Sequence, residues 1–194
     1  MSDRKIPMLV RETSNGLTVH SILDEMFRRR EVEYVGEVDT ESAYGVCRQL
    51  MQLAHEDPDK EITMYINSPG GEVISGLAVI DVMKAIPCPV RTVCMGMAYS
   101  MGSLIFAAGT QRDIMPHSKV MIHDPRLEHV GGPAEAIKET SRRMLETRAI
   151  TNGLLAQFTG KSIKEINRKT IKDSYFDAQE AVEFGLADRI IDKF

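Results

Sequence analysis

The amino-acid sequence predicts an α/β domain in which helices cover a mostly parallel sheet. Short apolar runs typical of buried strands alternate with segments of helical periodicity between Glu31 and His123. Parallel strands need crossover connections, and such crossovers are right-handed in nearly all proteins. A third observation is a segment of roughly 25 residues, from Pro133 to Gly160, that predicts a helix unusually long for so small a chain.

The composition fits one globular domain with its own core. The chain has 194 residues, 43% of them hydrophobic and 27% charged, so we expect a single domain spanning 1–194. The formal net charge is −4, and the basic run Arg28–Arg30 is isolated, which argues against nucleic-acid binding. Neither an apolar leader nor an apolar run of membrane-spanning length occurs. We therefore expect a cytoplasmic protein that does not enter a membrane.

The cysteines argue against a disulfide framework and against a zinc site. Cys47, Cys88 and Cys94 form an odd set without CxxC spacing. Free, buried thiols in a reducing compartment explain such a set better than cross-links do. We expect neither a metal site nor a cofactor site in this chain.

The first elements follow from short patterns. Residues 1–20 are polar and weakly patterned, and we expect an N-terminal arm there. The run "EVEYVGEV", from Glu31, predicts a strand. A helix should follow, capped by Asp39 or Thr40 and ended before Pro58, because apolar residues recur at helical spacing: Ala43, Val46, Cys47, Leu50, Met51 and Ala54.

Further strands and helices alternate after this helix. The runs "EITMYIN", "VRTVCMG" and "KVMIH" predict buried strands, and "GEVISGLAVIDVMKAI" and "SMGSLIFAAG" predict the helices between them. Pro133 can open the long helix and Gly160 can close it. Its polar first half predicts that it projects from the body of the domain. A last helix is expected after Asp177, with Glu180 at the capping-box position.

Three predicted strands end in residues of chemical interest. These ends are "NSPGG", "GMAYSMG" and "HDP", and sites in open parallel sheets form beyond the carboxyl ends of the strands. In "NSPGG", Gly70 and Gly71 can expose backbone N–H groups that bind an anionic oxygen. A simple tight turn is the alternative for this glycine pair.

Ser100 lies in the second of these ends, with Ala98 and Gly102 two residues to either side. Small residues at these positions relieve crowding at the sharp turn that carries a nucleophilic serine. The N–H of the next residue, Met101, would then point to a developing oxyanion. A helix N-cap is the alternative role, since serine is favoured there for its hydrogen bond to the first turn.

His123 and Asp173 complete a set of hydrolase parts. His123 ends the third strand, although a lone histidine is more often structural, and His117 is a weaker rival. Asp173 precedes the last helix, whereas the side chain of Asp124 should diverge from that of its neighbour along a strand. A nucleophile, a base, a carboxylate and two N–H donors are what a serine hydrolase needs. Their order along the chain, Ser, His, Asp, differs from that of α/β-hydrolases.

The motifs "YINSPGG", "CMGMAYSMGSLIFAAG", "PHSKVMIHDP" and "AQEAVEFGLADRII" together resemble the proteolytic subunit of the Clp protease, the ClpP family. The likeness runs from about residue 6 to residue 191 and implies the β-α spiral that ClpP shares with crotonases, with a projecting handle helix. It also implies that Ser100 is the nucleophile, His123 the base and Asp173 the third member of a triad. The amides of Gly71 and Met101 match the family's oxyanion hole.

The resemblance further implies an assembly and a partner. Two stacked heptameric rings would enclose a proteolytic chamber, with residues 1–20 as an axial loop and a handle region at about 124–160 joining the rings. An AAA+ unfoldase such as ClpX or ClpA/ClpC would dock on the ring, spend ATP and feed in unfolded polypeptide. No Walker motif occurs in this chain, so the nucleotide site would belong to that partner.

The chain departs from the family pattern at several positions. Asp124 stands where the family commonly has Gln, and Lys172 where Arg is frequent; Thr63 and Met64 stand where many members have an aromatic residue. These differences bear on ring stacking and on the choice of unfoldase. Two alternatives remain: a catalytically weak ring subunit that needs a paralogous partner in a mixed ring, and a crotonase-type acyl-CoA enzyme.

Overall fold

The computed structural model describes residues 6–14, 16–127 and 131–193. The predicted arm lies partly outside these ranges, at residues 1–5 and 15, and so does the segment 128–130 of the predicted handle region. Among the described residues, no helix is both long enough and apolar enough to cross a membrane.

The first described elements form a β-hairpin where the sequence predicted no regular structure. Strand β1 (Met8–Thr13) pairs antiparallel with β2 (Gly16–Ser21), and the short helix α1 (Ile22–Arg28) follows. Apolar and polar residues alternate weakly in this hairpin, and Val10 and Val19, which are paired across it, are both exposed. Without a buried face, the alternation that identifies a strand is lost.

Three parallel strands and two crossover helices form the centre of the fold. They are β3 (Glu31–Val38), α2 (Thr40–Glu56), β4 (Ile62–Gly71), α3 (Val73–Ala85) and β5 (Val90–Tyr99). β4 lies between β3 and β5 and pairs in parallel with both. The predicted α/β class is therefore confirmed. Of the two residues expected to cap α2, Asp39 is the one whose side chain does so.

The strand β5 changes its neighbour halfway along its length. After helix α4 (Met101–Ala107) come β6 (Gln111–Ile114) and β7 (Lys119–Ile122). Arg91–Cys94 of β5 pair with β6, whereas Met97–Tyr99 pair with β7. The sheet therefore splits in the middle of β5, and the half of β5 that leads into α4 lies between β4 and β7. The sequence did not predict β6, which is short and mostly polar.

The last third of the chain is mainly helical. It contains α5 (Ala134–Thr159), α6 (Ile163–Thr170), β8 (Ser174–Phe176), α7 (Ala178–Phe184) and β9 (Arg189–Ile190). β8 pairs antiparallel with β7, and β9 pairs in parallel with β6. The short elements α6, β8 and β9 were not predicted.

The long helix has its predicted ends, and its two halves differ in burial. The helix is preceded by Pro133 and closed by Gly160, whose φ of 69° is the left-handed conformation that favours glycine. In its first half the side chains are mostly exposed, while Thr151, Asn152 and Leu155 are buried in the second half. The second half therefore anchors the helix to the body of the domain.

A continuous aliphatic core fixes the strand ends that carry the site. All seven residues of α4 are buried, and the core extends from β3 through α2 and α3 to α7. Most of the apolar positions predicted for α2 are buried, although Met51 is 47% exposed. The three cysteines are free and buried, as expected.

Candidate active site

Ser100 occupies the sharp turn between β5 and α4. Its φ of 51° and ψ of −121° are unusual for a residue with a side chain, and its N–H donates to the Met121 carbonyl at 2.8 Å. Such strain persists only where the surrounding structure enforces it, and it occurs mostly at functional sites. Ser100 stands at the N-cap position of α4, but its hydroxyl makes no capping hydrogen bond. The N-cap role that the sequence allowed is therefore wrong for this hydroxyl.

Small residues make room for this turn. A β-carbon at Gly70 would lie 2.7 Å from Ser100 Cβ, and one at Gly102 would lie 3.1 Å from Ser68 Cβ. Ala98, two residues before the serine, is fully buried. The end of β4 and the start of α4 thus pack tightly on both sides of the serine, which holds the hydroxyl in one direction.

The hydroxyl of Ser100 points to the ring of His123. His123 Nε2 lies 2.8 Å from Ser100 Oγ, and His123 Nδ1 lies 3.2 Å from Asp173 Oδ1. The side chain of His123 is 15% exposed and that of Asp173 is 34% exposed. The structure thus brings the three predicted residues into one hydrogen-bonded chain. The rival His117 is an exposed residue of the turn before β7.

The sheet register explains why these residues meet. Tyr99 of β5 pairs with Met121 of β7, so Ser100 and His123 leave the ends of neighbouring strands. Ile122 pairs with Ser174 across the antiparallel β7–β8 ladder. His123 directly follows Ile122, and Asp173 directly precedes Ser174. β8 has only three residues, and its pairing with β7 brings the carboxylate beside the ring.

Asp173 has a second partner that no sequence pattern predicted. The guanidinium of Arg126 donates to the same oxygen, Oδ1, that faces His123. Arg126 is 61% exposed and lies three residues after the histidine, in a segment without regular structure. No periodicity marks such a residue, so only the three-dimensional structure reveals this contact.

The two predicted oxyanion donors lie where the end of β4 approaches the start of α4. Gly71 is the last residue of β4 and Met101 the first of α4, where the N–H groups of a helix lack intrahelical acceptors. A β-carbon on the preceding glycine, Gly70, would lie 3.0 Å from the Met101 nitrogen, which shows how closely the two segments approach. A β-carbon on Gly71 itself would overlap the Val38 carbonyl oxygen. Glycine is therefore required at this end of β4, which is more than a simple turn would demand.

A cavity of about 680 Å³ opens beside Gly71, between α3 and the first half of α5. Its walls include apolar side chains such as Val73, Leu127 and Met144, together with the guanidinium groups of Arg126 and Arg143. Clefts of this size with mostly apolar walls are typical of ligand-binding sites. The cavity borders Gly71, one of the two predicted oxyanion donors, and Arg126, the second partner of Asp173.

A comparison with known protein families gives an independent result. A family model described as Clp protease matches residues 14–194 of the chain. This range includes every element from β2 to β9 and the whole of the site. The match confirms the resemblance seen in the four sequence motifs, and the mostly parallel α/β architecture is consistent with the ClpP fold.

Proposed function

We propose that this chain, which belongs to the Clp protease family, is a serine endopeptidase that cleaves unfolded polypeptides through an acyl-enzyme. Membership of this family implies a peptidase of the ClpP type. The observation that carries the assignment of residues is the unbroken hydrogen-bonded chain from Ser100 through His123 to Asp173. A serine activated by histidine and carboxylate is the recurring arrangement of acyl-transfer hydrolases.

In the first step His123 Nε2 accepts the hydroxyl proton of Ser100 as Oγ attacks the peptide carbonyl carbon. The 2.8 Å distance between these atoms supports direct transfer. Asp173 stabilises the imidazolium that forms, through its contact with His123 Nδ1. The same contact fixes the tautomer of the neutral His123 ring. His123 then donates the proton to the departing amine, and the acyl group stays on Ser100.

Negative charge on the carbonyl oxygen is held by the N–H groups of Gly71 and Met101. Their location, where the end of β4 approaches the start of α4, supports this role, because both segments are fixed by buried packing. Loss of one such donor typically lowers the rate by about 10²–10³-fold. Water, deprotonated by His123, then attacks the acyl carbon. The bond to Ser100 Oγ breaks, Oγ takes the proton back from His123, and the second product leaves with a free carboxyl group.

The assembly belongs to the proposal as well. We expect two stacked heptameric rings, either homomeric or mixed with a paralogous subunit, in which the region at about 124–160 forms the contact between the rings. The exposed first half of α5 supports a partner there. Residues 1–20 would form an axial loop within the single domain 1–194, and the hairpin with exposed apolar residues is compatible with contacts around a pore.

Delivery of the substrate would fall to an AAA+ unfoldase such as ClpX or ClpA/ClpC. In this proposal the unfoldase binds and hydrolyses ATP, and this chain itself needs neither a cofactor nor a metal for peptide hydrolysis. The substrates are unfolded polypeptides, the compartment is the cytoplasm, and neither nucleic acid nor a membrane is a partner.

A fluorophosphonate tests the proposal directly, because it phosphonylates only a serine that an assembled site activates. We expect the intact mass of the purified protein to increase by one adduct, and Ser100→Ala and His123→Ala to abolish the increase. His117→Ala is the matched control, since that histidine is exposed and lies outside the site; it should be labelled like the unchanged protein. Labelling that persists in Ser100→Ala would overturn the assignment.

One observation favours a second candidate, a ring subunit that is weakly active by itself. Asp173 Oδ1 is shared between His123 and Arg126, and the bond to the ring, at 3.2 Å, is long for a charge-assisted hydrogen bond. Absence of an adduct on the isolated protein, followed by its appearance when a paralogous subunit is added, would favour this candidate.

A further inference from the structure

We propose that Asp124 and Arg148 are positioning residues, whose ion pair fixes the segment that carries His123 against the long helix α5. The inference rests on the proposed function, because it gives a role in peptide hydrolysis to residues that do not touch the reacting atoms. It concerns the residue directly after the base and a side chain of α5.

Asp124 is held by its backbone and by both oxygens of its side chain. Its N–H donates to the carbonyl of Thr170 at 2.7 Å, at the end of α6. Oδ1 accepts from Asn152 Nδ2 at 3.1 Å, and Oδ2 lies 2.7 Å from Arg148 Nε. The carboxylate thus points away from the catalytic ring and towards α5. The residue that follows the base is therefore anchored to two different helices.

The same cluster also reaches the segment that carries the catalytic acid. Asn152 is fully buried, and its Nδ2 lies 2.8 Å from Asn167 Oδ1 and 3.1 Å from Thr170 Oγ1, besides its contact with Asp124. Thr170, also fully buried, ends α6 three residues before Asp173. One buried amide thus links the two segments that supply the base and the acid. A movement of Asp124 relative to α5 would change the distance between these segments.

The interaction between Asp124 and Arg148 is mainly one of charge. The Nε atom of Arg148 is close to the carboxylate, but its N–H is not directed along a hydrogen bond. Both side chains are about a quarter to a third exposed. Burial raises the pKa of Asp124, but its polar contacts with Thr170 and Arg148 outweigh burial, so that the carboxylate is held below its usual pKa. A charged Asp124 without Arg148 would be partly desolvated and unbalanced, and it would be drawn towards water.

The contact between His123 and Asp173 would not survive much movement of Asp124 towards water. The bond from His123 Nδ1 to Asp173 is already 3.2 Å long, near the upper end of the range for N–H···O hydrogen bonds. Displacement of a catalytic group by about 1 Å can lower the rate by about 10²-fold. Removing the charge of Arg148 should therefore slow acylation while peptide binding, measured as KM, changes little.

The test compares Arg148→Gln, Asp124→Asn, the double variant and Arg148→Lys, which keeps the charge. Each full-length protein is assayed for kcat and KM with a fluorogenic peptide, and for the rate and final extent of fluorophosphonate labelling. Arg29→Gln is the matched control, because Arg29 lies outside the region 124–160 and pairs at the surface with Glu31.

We expect Arg148→Gln to lower kcat and the labelling rate about tenfold, with KM within about twofold and labelling still complete at its end point. Arg148→Lys should recover most of the rate. Because the pair acts as a unit, the double variant should lose no more than the worse single variant. Arg29→Gln should match the unchanged protein.

Other results would overturn the inference. Unchanged kcat in Arg148→Gln would do so, and so would losses that simply multiply in the double variant. An incomplete end point, with the labelled fraction reacting at the normal rate, would mean that the substitution only unfolds part of the protein. If the unchanged protein takes no adduct at Ser100, the proposed function itself fails, which is distinguishable from all of these results.

Discussion

A β-carbon on Gly70 would lie 2.7 Å from the β-carbon of Ser100 and 2.7 Å from the carbonyl oxygen of Tyr99. Atoms that close must shift, and the carbonyl belongs to the backbone, which cannot rotate away. Gly70 also has a φ of +94°, a conformation that side chains disfavour. The end of β4 therefore supports the strained turn of the nucleophile from directly beneath it.

We accordingly expect Gly70→Ala to abolish fluorophosphonate labelling of Ser100 and to lower the free energy of unfolding by about 2–4 kcal/mol, from strain and overpacking together. Gly45→Ala is the matched control, because nothing lies within 4 Å of a β-carbon at Gly45 and the residue is inside α2. That change should be neutral or stabilise by up to about 1 kcal/mol. Normal labelling of Gly70→Ala would contradict the tight packing described for the turn.

The elements that the sequence predicted correctly are those in which burial leaves a periodic pattern. β4 and β5 are long and mostly apolar, and β7 is short but apolar in three of its four residues. The candidate site could be predicted because Gly71 ends β4, while Ser100 and His123 directly follow β5 and β7. Parallel strands bring their carboxyl ends to one edge, so the distance along the chain does not matter there.

The missed elements are short, polar or exposed. β6 carries the fully buried Asp113, whose charge is balanced by Arg91 and Arg189 from distant parts of the chain. β8 has three residues, and the first hairpin has no buried face. Arg126 could not be predicted as a partner of Asp173, because a loop side chain leaves no periodic signal. Tertiary contacts of this kind are absent from local sequence patterns.

Arg30 gives a stability prediction within the basic run that the sequence showed. Unlike its neighbours it is 6% exposed, and its guanidinium donates to the carbonyls of Leu53, Asp57, Lys60 and Glu61 at 2.8–3.2 Å. It therefore closes the end of α2 and joins it to the start of β4. We expect Arg30→Ala to lower the free energy of unfolding by about 2–4 kcal/mol in urea denaturation, since one buried and three partly buried carbonyls lose their donor.

The control for this prediction is Arg28→Ala, because that arginine is exposed and makes only surface contacts with the His20 ring and a distant ion pair with Glu25. Its effect should stay within about 0.5 kcal/mol. Arg30→Lys tests the geometry separately: a lysine keeps the charge but lacks the planar fork, so it should recover only part of the lost stability. Full recovery by lysine would mean that charge alone matters at this position.

The thiols provide a prediction that separates a serine nucleophile from a cysteine nucleophile. Burial raises the pKa of Cys94 to about 12, against a hydrogen bond with Ser118 that lowers it, and burial also raises the pKa of Cys47. At pH 8 only on the order of 10⁻⁴ of Cys94 is thiolate, and the thiolate is the reactive form. Native protein should therefore keep its peptidase activity in iodoacetamide and lose it to a fluorophosphonate. Mass spectrometry should find all three cysteines alkylated only after unfolding; rapid loss of native activity in iodoacetamide would contradict this.

The buried carboxylate of Asp113 predicts how stability depends on pH. Burial raises the pKa of Asp113, but hydrogen bonds from Arg189 and Arg91 outweigh it and hold the pKa below its usual value. A carboxylate whose pKa is depressed on folding stabilises the protein fully above the unfolded pKa of about 3.9, and this stability is lost as pH falls through the lower folded value.

We expect Asp113→Asn to lower the free energy of unfolding by about 1–3 kcal/mol at pH 7, because two partly exposed guanidinium groups lose their shared partner. Urea denaturation of both proteins from pH 7 to pH 3 should show this difference shrinking below about pH 4. The exposed Asp81, changed to Asn, should show no comparable difference at any pH, and a gap for Asp113→Asn that stays constant down to pH 3 would mean that packing, not charge, accounts for the loss.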